Sequence, residues 1–329
     1  MSLDPSRLVV MAATVFCINT MCCAQTLAAV EYVESSSLSQ KLHLPVSEWT
    51  DPDASRRVVV LALHGFMLHG GKFDNLARHL VAHGAIVFAP DLRGFGRWYF
   101  AADNWPGGSL IDYKQSKKDA LALLKEFRSA YPDLPIVCLG ESMGANLSVR
   151  LGAEHPELVN GLILSSPCVI KRRTLLHFRV IVDAVVGMLC PRHQVNLVPY
   201  AEKYISEDSL NDPLVRKQAG AWEILRTLRG LNTSLHKASL VDYKIQVLVL
   251  RGSNDKLCKY DAVAHLANRL ASSCKVLHCV ADQGHLLLED PESGKESESL
   301  IDDWLDGKFC RNRDTGDKMV EQIDNENRR

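Results

Sequence analysis

Three residues of this chain have the types and surroundings for nucleophilic chemistry. Ser142 lies in Gly140-Glu141-Ser142-Met143-Gly144, a pattern expected by chance about 0.1 times in a chain of this length. A serine hydroxyl is a weak nucleophile at neutral pH, so it needs a base within reach, and the base needs an orienting acid. His285, in Asp282-Gln283-Gly284-His285, is the candidate base, and Asp255, in Arg251-Gly252-Ser253-Asn254-Asp255, the candidate acid. A glycine-flanked serine between a strand and a helix is a nucleophile elbow, and Ser…Asp…His is the order that accompanies it. Acyl transfer also needs two N–H donors for the developing oxyanion. The backbone N–H groups of Met143 and of Phe66, in His64-Gly65-Phe66-Met67, are the candidates, and His64 itself reads as structural.

Each assignment has a plainer competitor. Gly140 and Gly144 could mark an ordinary tight turn, and Asp255 could be a turn aspartate beside Gly and Asn. Asp282, Glu289 and Asp290 are substitute acids, but none follows the penultimate strand. The chain has twelve histidines, and His285 stands out by its place after the last strand and a glycine.

The elements that must position these residues are legible from periodicity. Ile136-Val137-Cys138-Leu139 reads as a buried strand before Ser142, and residues 145–155 as the helix after it, with Leu147 and Leu151 on one face. Val58 to Leu63 is a continuous apolar run, as in a strand buried on both faces. Residues 85–89, 159–164, 246–250 and 275–280 read as further strands. Helix faces are striped by Phe73, Leu76, Ala77, Leu80 and Val81, by Ala120, Leu124 and Phe127, and by Val263, Leu266, Ala267 and Leu270. Such alternation predicts an α/β fold over residues 25–310, a mostly parallel central sheet with helices on both faces. It places Asp255 and His285 at the carboxyl ends of strands, where open sheets build their sites. From about residue 168 to 240 the alternation stops, and a helical cap insertion without a strand is predicted. The charged tail, residues 311–329, is predicted to be disordered.

Composition narrows the classes. Hydrophobic residues make up 47% and charged residues 23%, as in a globular domain rather than a disordered one. A formal charge of −1 excludes the basic field of a nucleic-acid binder. No run reaches the ~18 apolar residues of a membrane span. Arg7, the apolar run Leu8 to Ile18 and the small residues up to Ala24 read as a secretory signal over residues 1–24. That predicts a secreted or membrane-associated protein, with a cytoplasmic one as the alternative. The cysteines pull the other way: Cys138, Cys168, Cys190, Cys258, Cys274, Cys279 and Cys310 show no framework spacing, so buried free thiols are expected and a metal site is not.

Taken together, His64 to Met67, Asp91-Leu92-Arg93-Gly94-Phe95-Gly96, the Ser142 motif, Gly252 to Cys258 and Gly284-His285 resemble α/β-hydrolases of the monoglyceride lipase and lysophospholipase (serine aminopeptidase-like) group, over roughly residues 57 to 305. Ser209 to Leu214 is similar to that group's cap. The resemblance implies Ser142, Asp255 and His285 as the catalytic residues, Phe66 and Met143 as oxyanion donors, and no cofactor. One departure is visible: Arg97-Trp98 follows Gly96 where the group usually has a serine two residues on.

The expected substrate is a monoacylglycerol or lysophospholipid ester. The cap's apolar Leu175 to Leu189 and its Lys171, Arg172, Arg173 and Arg179 suggest peripheral membrane contact. A hydrolase of small non-lipid esters, thioesters or peptides, and a catalytically silent binding protein, are the competing readings. A base with an ordinary pKa near ~6.5 predicts activity falling below about pH 6.

Overall fold

The computed structural model describes residues 30–34, 36–169, 193–289, 294–309 and 320–322. Its centre is a sheet of nine strands: β1 (Glu31–Val33), β2 (Val46–Thr50), β3 (Val58–Leu63), β4 (Ala85–Pro90), β5 (Ile136–Glu141), β6 (Gly161–Ser165), β9 (Gln246–Gly252), β10 (Lys275–Val280) and β11 (Val320–Gln322). They lie in the order β1-β2-β4-β3-β5-β6-β9-β10-β11. From β4 to β11 every pairing is parallel, and β1 and β2 add antiparallel strands at one edge. The uniformly buried β3, β4 and β5 carry no alternation because both faces are covered.

The longer helices are α1 (Asp74–Ala82), α2 (Tyr113–Ala130), α3 (Met143–Glu154), α4 (Ala221–Lys237), α5 (Tyr260–Arg269) and α6 (Gly294–Leu305). Leu123 and Leu124 of α2, Leu147 of α3 and Leu266 of α5 pack with Leu61 and Leu63 on one face of the sheet. Leu76 and Leu80 of α1 and Ile301 and Trp304 of α6 cover Val58 and Val60 on the other. Burial of a large aliphatic side chain stabilises by roughly 1.5–3 kcal/mol, so these two layers hold the sheet edge to which the site is attached.

The insertion differs from the helical expectation. Two strands of three residues, β7 (Gln194–Asn196) and β8 (Gln218–Gly220), form an antiparallel ribbon within it. Only Val195 on β7 and Ala219 and Gly220 on β8 are buried, too short a pattern for sequence periodicity to register. Residues 320–322, expected to be disordered, pair with the open edge of β10 as β11, since an unpaired strand edge accepts even three residues. Cys274 corrects the expectation of free thiols: it is disulfide-bonded, while Cys138, Cys168, Cys258 and Cys279 are free. The proposed leader, residues 1–24, and the cap's basic and apolar run, residues 171–189, lie outside the described residues. Among the described residues no helix is long and apolar enough to cross a membrane.

Candidate active site

Ser142 sits at the corner between β5 and α3 with φ 50° and ψ −110°. A non-glycine residue reaches that conformation only when its surroundings enforce it. They do so here by close packing. A Cβ on Gly144 would lie 1.8 Å from the Leu63 carbonyl oxygen, and one on Gly140 would lie 2.3 Å from the Gly144 carbonyl carbon. The two glycines let the helix start against β3, and the Ser142 N–H donates to the Ser165 carbonyl at 2.9 Å.

The loops after β9 and β10 bring the other two residues to this corner. His285 Nε2 is 2.9 Å from Ser142 Oγ, and His285 Nδ1 is 2.9 Å from Asp255 Oδ2. The remaining Asp255 oxygen accepts the N–H groups of Leu257 at 2.8 Å and Cys258 at 2.9 Å. Of the substitute acids, Glu289 bonds elsewhere and Asp282 is exposed at a turn where its φ is 55°, while Asp290 lies outside the described residues. Burial alone would raise the Asp255 pKa, but the His285 hydrogen bond and the two amides outweigh it and hold the carboxyl below its ordinary value. Burial alone would lower His285, and the Asp255 hydrogen bond overcomes this, so the imidazole is raised above 6.5. The Cys258 thiol lies beside this couple, with its donor atom within 4.8 Å of those of Asp255 and His285. Its pKa is pushed well up by a hydrogen bond with Cys168 and by burial, so it stands there as a neutral thiol and Asp255 carries the shift of His285. A second group of donors at such spacing, His79, His83 and Asp302, lies on α1, at its C-terminal cap and on α6.

The loop carrying Phe66 is clamped from several sides. His64 is fully buried; its Nε2 accepts the Leu92 N–H at 2.8 Å and its Nδ1–H donates to the Gly65 carbonyl at 2.7 Å. Burial pulls its pKa down to about 4, as befits a neutral structural imidazole. Behind it, Asp91 accepts the Gly70 and Arg97 N–H groups and the Arg97 guanidinium, and the Trp98 indole donates to the Asp91 carbonyl. The departure at Arg97-Trp98 therefore builds a buried ion pair beneath the loop and does not touch Ser142. Phe66 lines the same cavity as Ser142, and the N–H of Met143, the residue after Ser142 and the first of α3, has no intrahelical acceptor.

A cavity of about 550 Å³ opens over Ser142, lined by Phe66, Met67, Leu197, Tyr200, Ile205 and Leu286 among others. A second space beside it is lined by Ser206, Asn254 and Lys256 and shares Lys203, Tyr204, Ile205 and His285 with the first. Tyr204 stands edge-on to the His285 ring at 6.2 Å. The cap that supplies these walls is tied down by polar bonds. The Arg216 N–H donates to the Met67 carbonyl, and its guanidinium donates to Gly94 O and to Glu223, which accepts the Ile111 N–H. The Asn211-Asp212-Pro213 segment anchors the same face, with Asp212 3.1 Å from His69 and 3.7 Å from Lys72. Sequence reading missed Tyr204, Lys203 and Cys258, and it weighed Glu289 only for another role. Their signal is tertiary.

A parallel sheet with an elbow serine, and an imidazole and carboxylate on later strand loops, defines an α/β-hydrolase. Residues 54–292 match the family described as serine aminopeptidase, S33, and the chain belongs to that family. It is 30% identical to the monoacylglycerol lipase of Mycolicibacterium smegmatis over 254 residues, covering 74% of this chain and 86% of that one. It is 25% identical to the human monoglyceride lipase over 268 residues, covering 77% and 84%. The structure of the Paleococcus ferrophilus monoacylglycerol lipase superposes with a TM-score of 0.63 at 21% identity, covering 80% of this chain and 98% of the other.

Proposed function

We propose that this protein is a serine hydrolase of lipid carboxylic esters, monoacylglycerols or lysophospholipids, acting through an acyl-enzyme on Ser142. The observation that carries the reading is His285 bridging Ser142 and Asp255 at 2.9 Å on each side, under an apolar cavity large enough for an acyl chain. His285 Nε2 takes the Ser142 proton as Oγ bonds to the ester carbonyl carbon, and the Phe66 and Met143 N–H groups receive the oxyanion. The carbon–oxygen bond to the alcohol then breaks, His285 returns its proton to the leaving alkoxide, and water hydrolyses the acyl-enzyme by the same exchange. Asp255 keeps the imidazole in the tautomer with Nε2 free. The polar space that includes His285 but not Ser142 suits the leaving head group.

Labelling with a fluorophosphonate probe, absent in Ser142→Ala, tests the nucleophile; labelling that survives the substitution rules out this reading. A panel of monoacylglycerols, lysophospholipids and p-nitrophenyl esters tests the lipid assignment, and equal kcat/KM for long-chain and acetyl esters would favour the small-ester alternative. We place the protein in an oxidising compartment, secreted or on a membrane surface: the leader-like residues 1–24 and the bonded Cys274 both support this. N-terminal sequencing of the natural protein checks it.

A further inference from the structure

Beside Ser142 lies a second pair of acids that the proposed reaction does not use. Glu141 and Glu289 are both fully buried. Glu141 Oε1 accepts the Ser165 hydroxyl at 2.5 Å and the Leu287 N–H at 2.7 Å, and its Oε2 accepts the Glu289 N–H at 2.9 Å. Glu289 Oε2 accepts the Gly65 N–H at 2.9 Å, and its carboxyl shares one buried site with that of Glu141, close enough for the Glu141 charge to oppose its own. Neither forms an ion pair among the described residues. Glu141 precedes the elbow serine, Gly65 precedes Phe66, and residues 287–289 follow His285. The pair therefore stands where the three catalytic loops meet.

We propose that the hydrogen-bonded carboxyl pair Glu141–Glu289 is the positioning device that fixes the Phe66 loop and the His285 loop to the Ser142 elbow. Two buried carboxylates in contact cannot both be charged, so one proton lies between them. With the Leu288 N–H at 3.2 Å, Glu141 already accepts four donors, which leaves the proton on Glu289, where it donates to Glu141 while the Gly65 N–H is still received. Gly65 is then held on both sides, by Glu289 at its N–H and by His64 at its carbonyl. Burial and the facing Glu141 charge raise the Glu289 pKa well above 4.5; Lys72 on the oxyanion-loop side acts weakly in the other direction, and His285 does the same for Glu141.

The inference of a catalytic purpose rests on the hydrolase reading, and the experiment separates the two. Glu289→Gln keeps a donor to Glu141 and an acceptor for Gly65, so kcat should stay within about threefold of wild type. Glu289→Ala removes both, and kcat should fall about 10- to 100-fold with KM changed less than about threefold, as for a misplaced oxyanion donor. Kinetic parity between Glu289→Ala and wild type overturns the positioning role. A measurement that needs no turnover reads the proton directly. A group with a raised folded pKa contributes stability that is present below its unfolded value and lost as pH rises through the folded one. Wild-type Tm should therefore decline more steeply than that of Glu289→Gln as pH rises above the ordinary carboxyl range. Parallel Tm curves overturn the shared proton even if every ester tested proves inert, and they do so if Glu289→Ala fails to fold.

Discussion

Two buried acids on loops after neighbouring strands end in opposite electrostatic states. Asp255 faces an imidazole and two amide N–H groups, and its charge is favoured; Glu289 faces another carboxyl, and its charge is opposed. Burial pushes both pKa values up, so burial is not what separates them. The partners decide: at Asp255 the imidazole and the two amides together outweigh burial, whereas at Glu289 the facing carboxyl adds to it. In the proposed reaction the first acid is the anion that a developing imidazolium needs. The other holds loops together as a hydrogen-bond donor.

Amide substitution breaks the comparison most sharply. Asp255→Asn should lower kcat about 10³- to 10⁴-fold, because the amide stabilises the wrong tautomer and no longer opposes the imidazolium. Against this, Glu289→Gln should leave turnover nearly intact; comparable losses in the two variants would erase the distinction.

The pH profile gives the next effect. Asp255 raises His285 above 6.5, and only the neutral imidazole accepts the Ser142 proton. The acid limb of kcat/KM should therefore lie above the ordinary histidine value, higher than the fall below about pH 6 expected for an unperturbed imidazole, and should move down in Asp255→Asn. An acid limb unmoved by that substitution assigns it to another group.

Stability should diverge in the same way. Asp255, with its lowered folded pKa, contributes stability present above its unfolded value and lost as pH falls through the folded one, whereas Glu289 loses its contribution toward alkali. Tm against pH for Asp255→Asn and Glu289→Gln should show opposite changes in slope. Smallest of all is the partly exposed cap anchor. Asp212→Asn weakens bonds to His69 and Lys72 and should cost no more than about 1 kcal/mol, read as a Tm change of a few degrees at most.

Much of the frame was legible in the chain. The apolar runs at residues 58–63 and 136–139 became β3 and β5, because a strand covered on both faces has no solvent side to record, and residues 275–280 became the partly covered β10. Gly140 and Gly144 marked the elbow because any Cβ there would strike backbone. The ribbon β7–β8, the edge strand β11 and helix α6 were not read: the two strand sites have three-residue elements, and α6 carries its apolar residues only in its second half, at Leu300, Ile301, Trp304 and Leu305.

By itself, the sequence determined which side chains could react and in which loops they sit, since residue type and period are local properties. Only the tertiary structure decided their states. Whether a carboxyl at residue 255 or 289 carries charge depends on which donors meet it from positions 30 to more than 200 residues away, and that is a property of packing in space. The same reason hid Tyr204 and Lys203, whose neighbours around His285 come from separate elements that only the fold brings together.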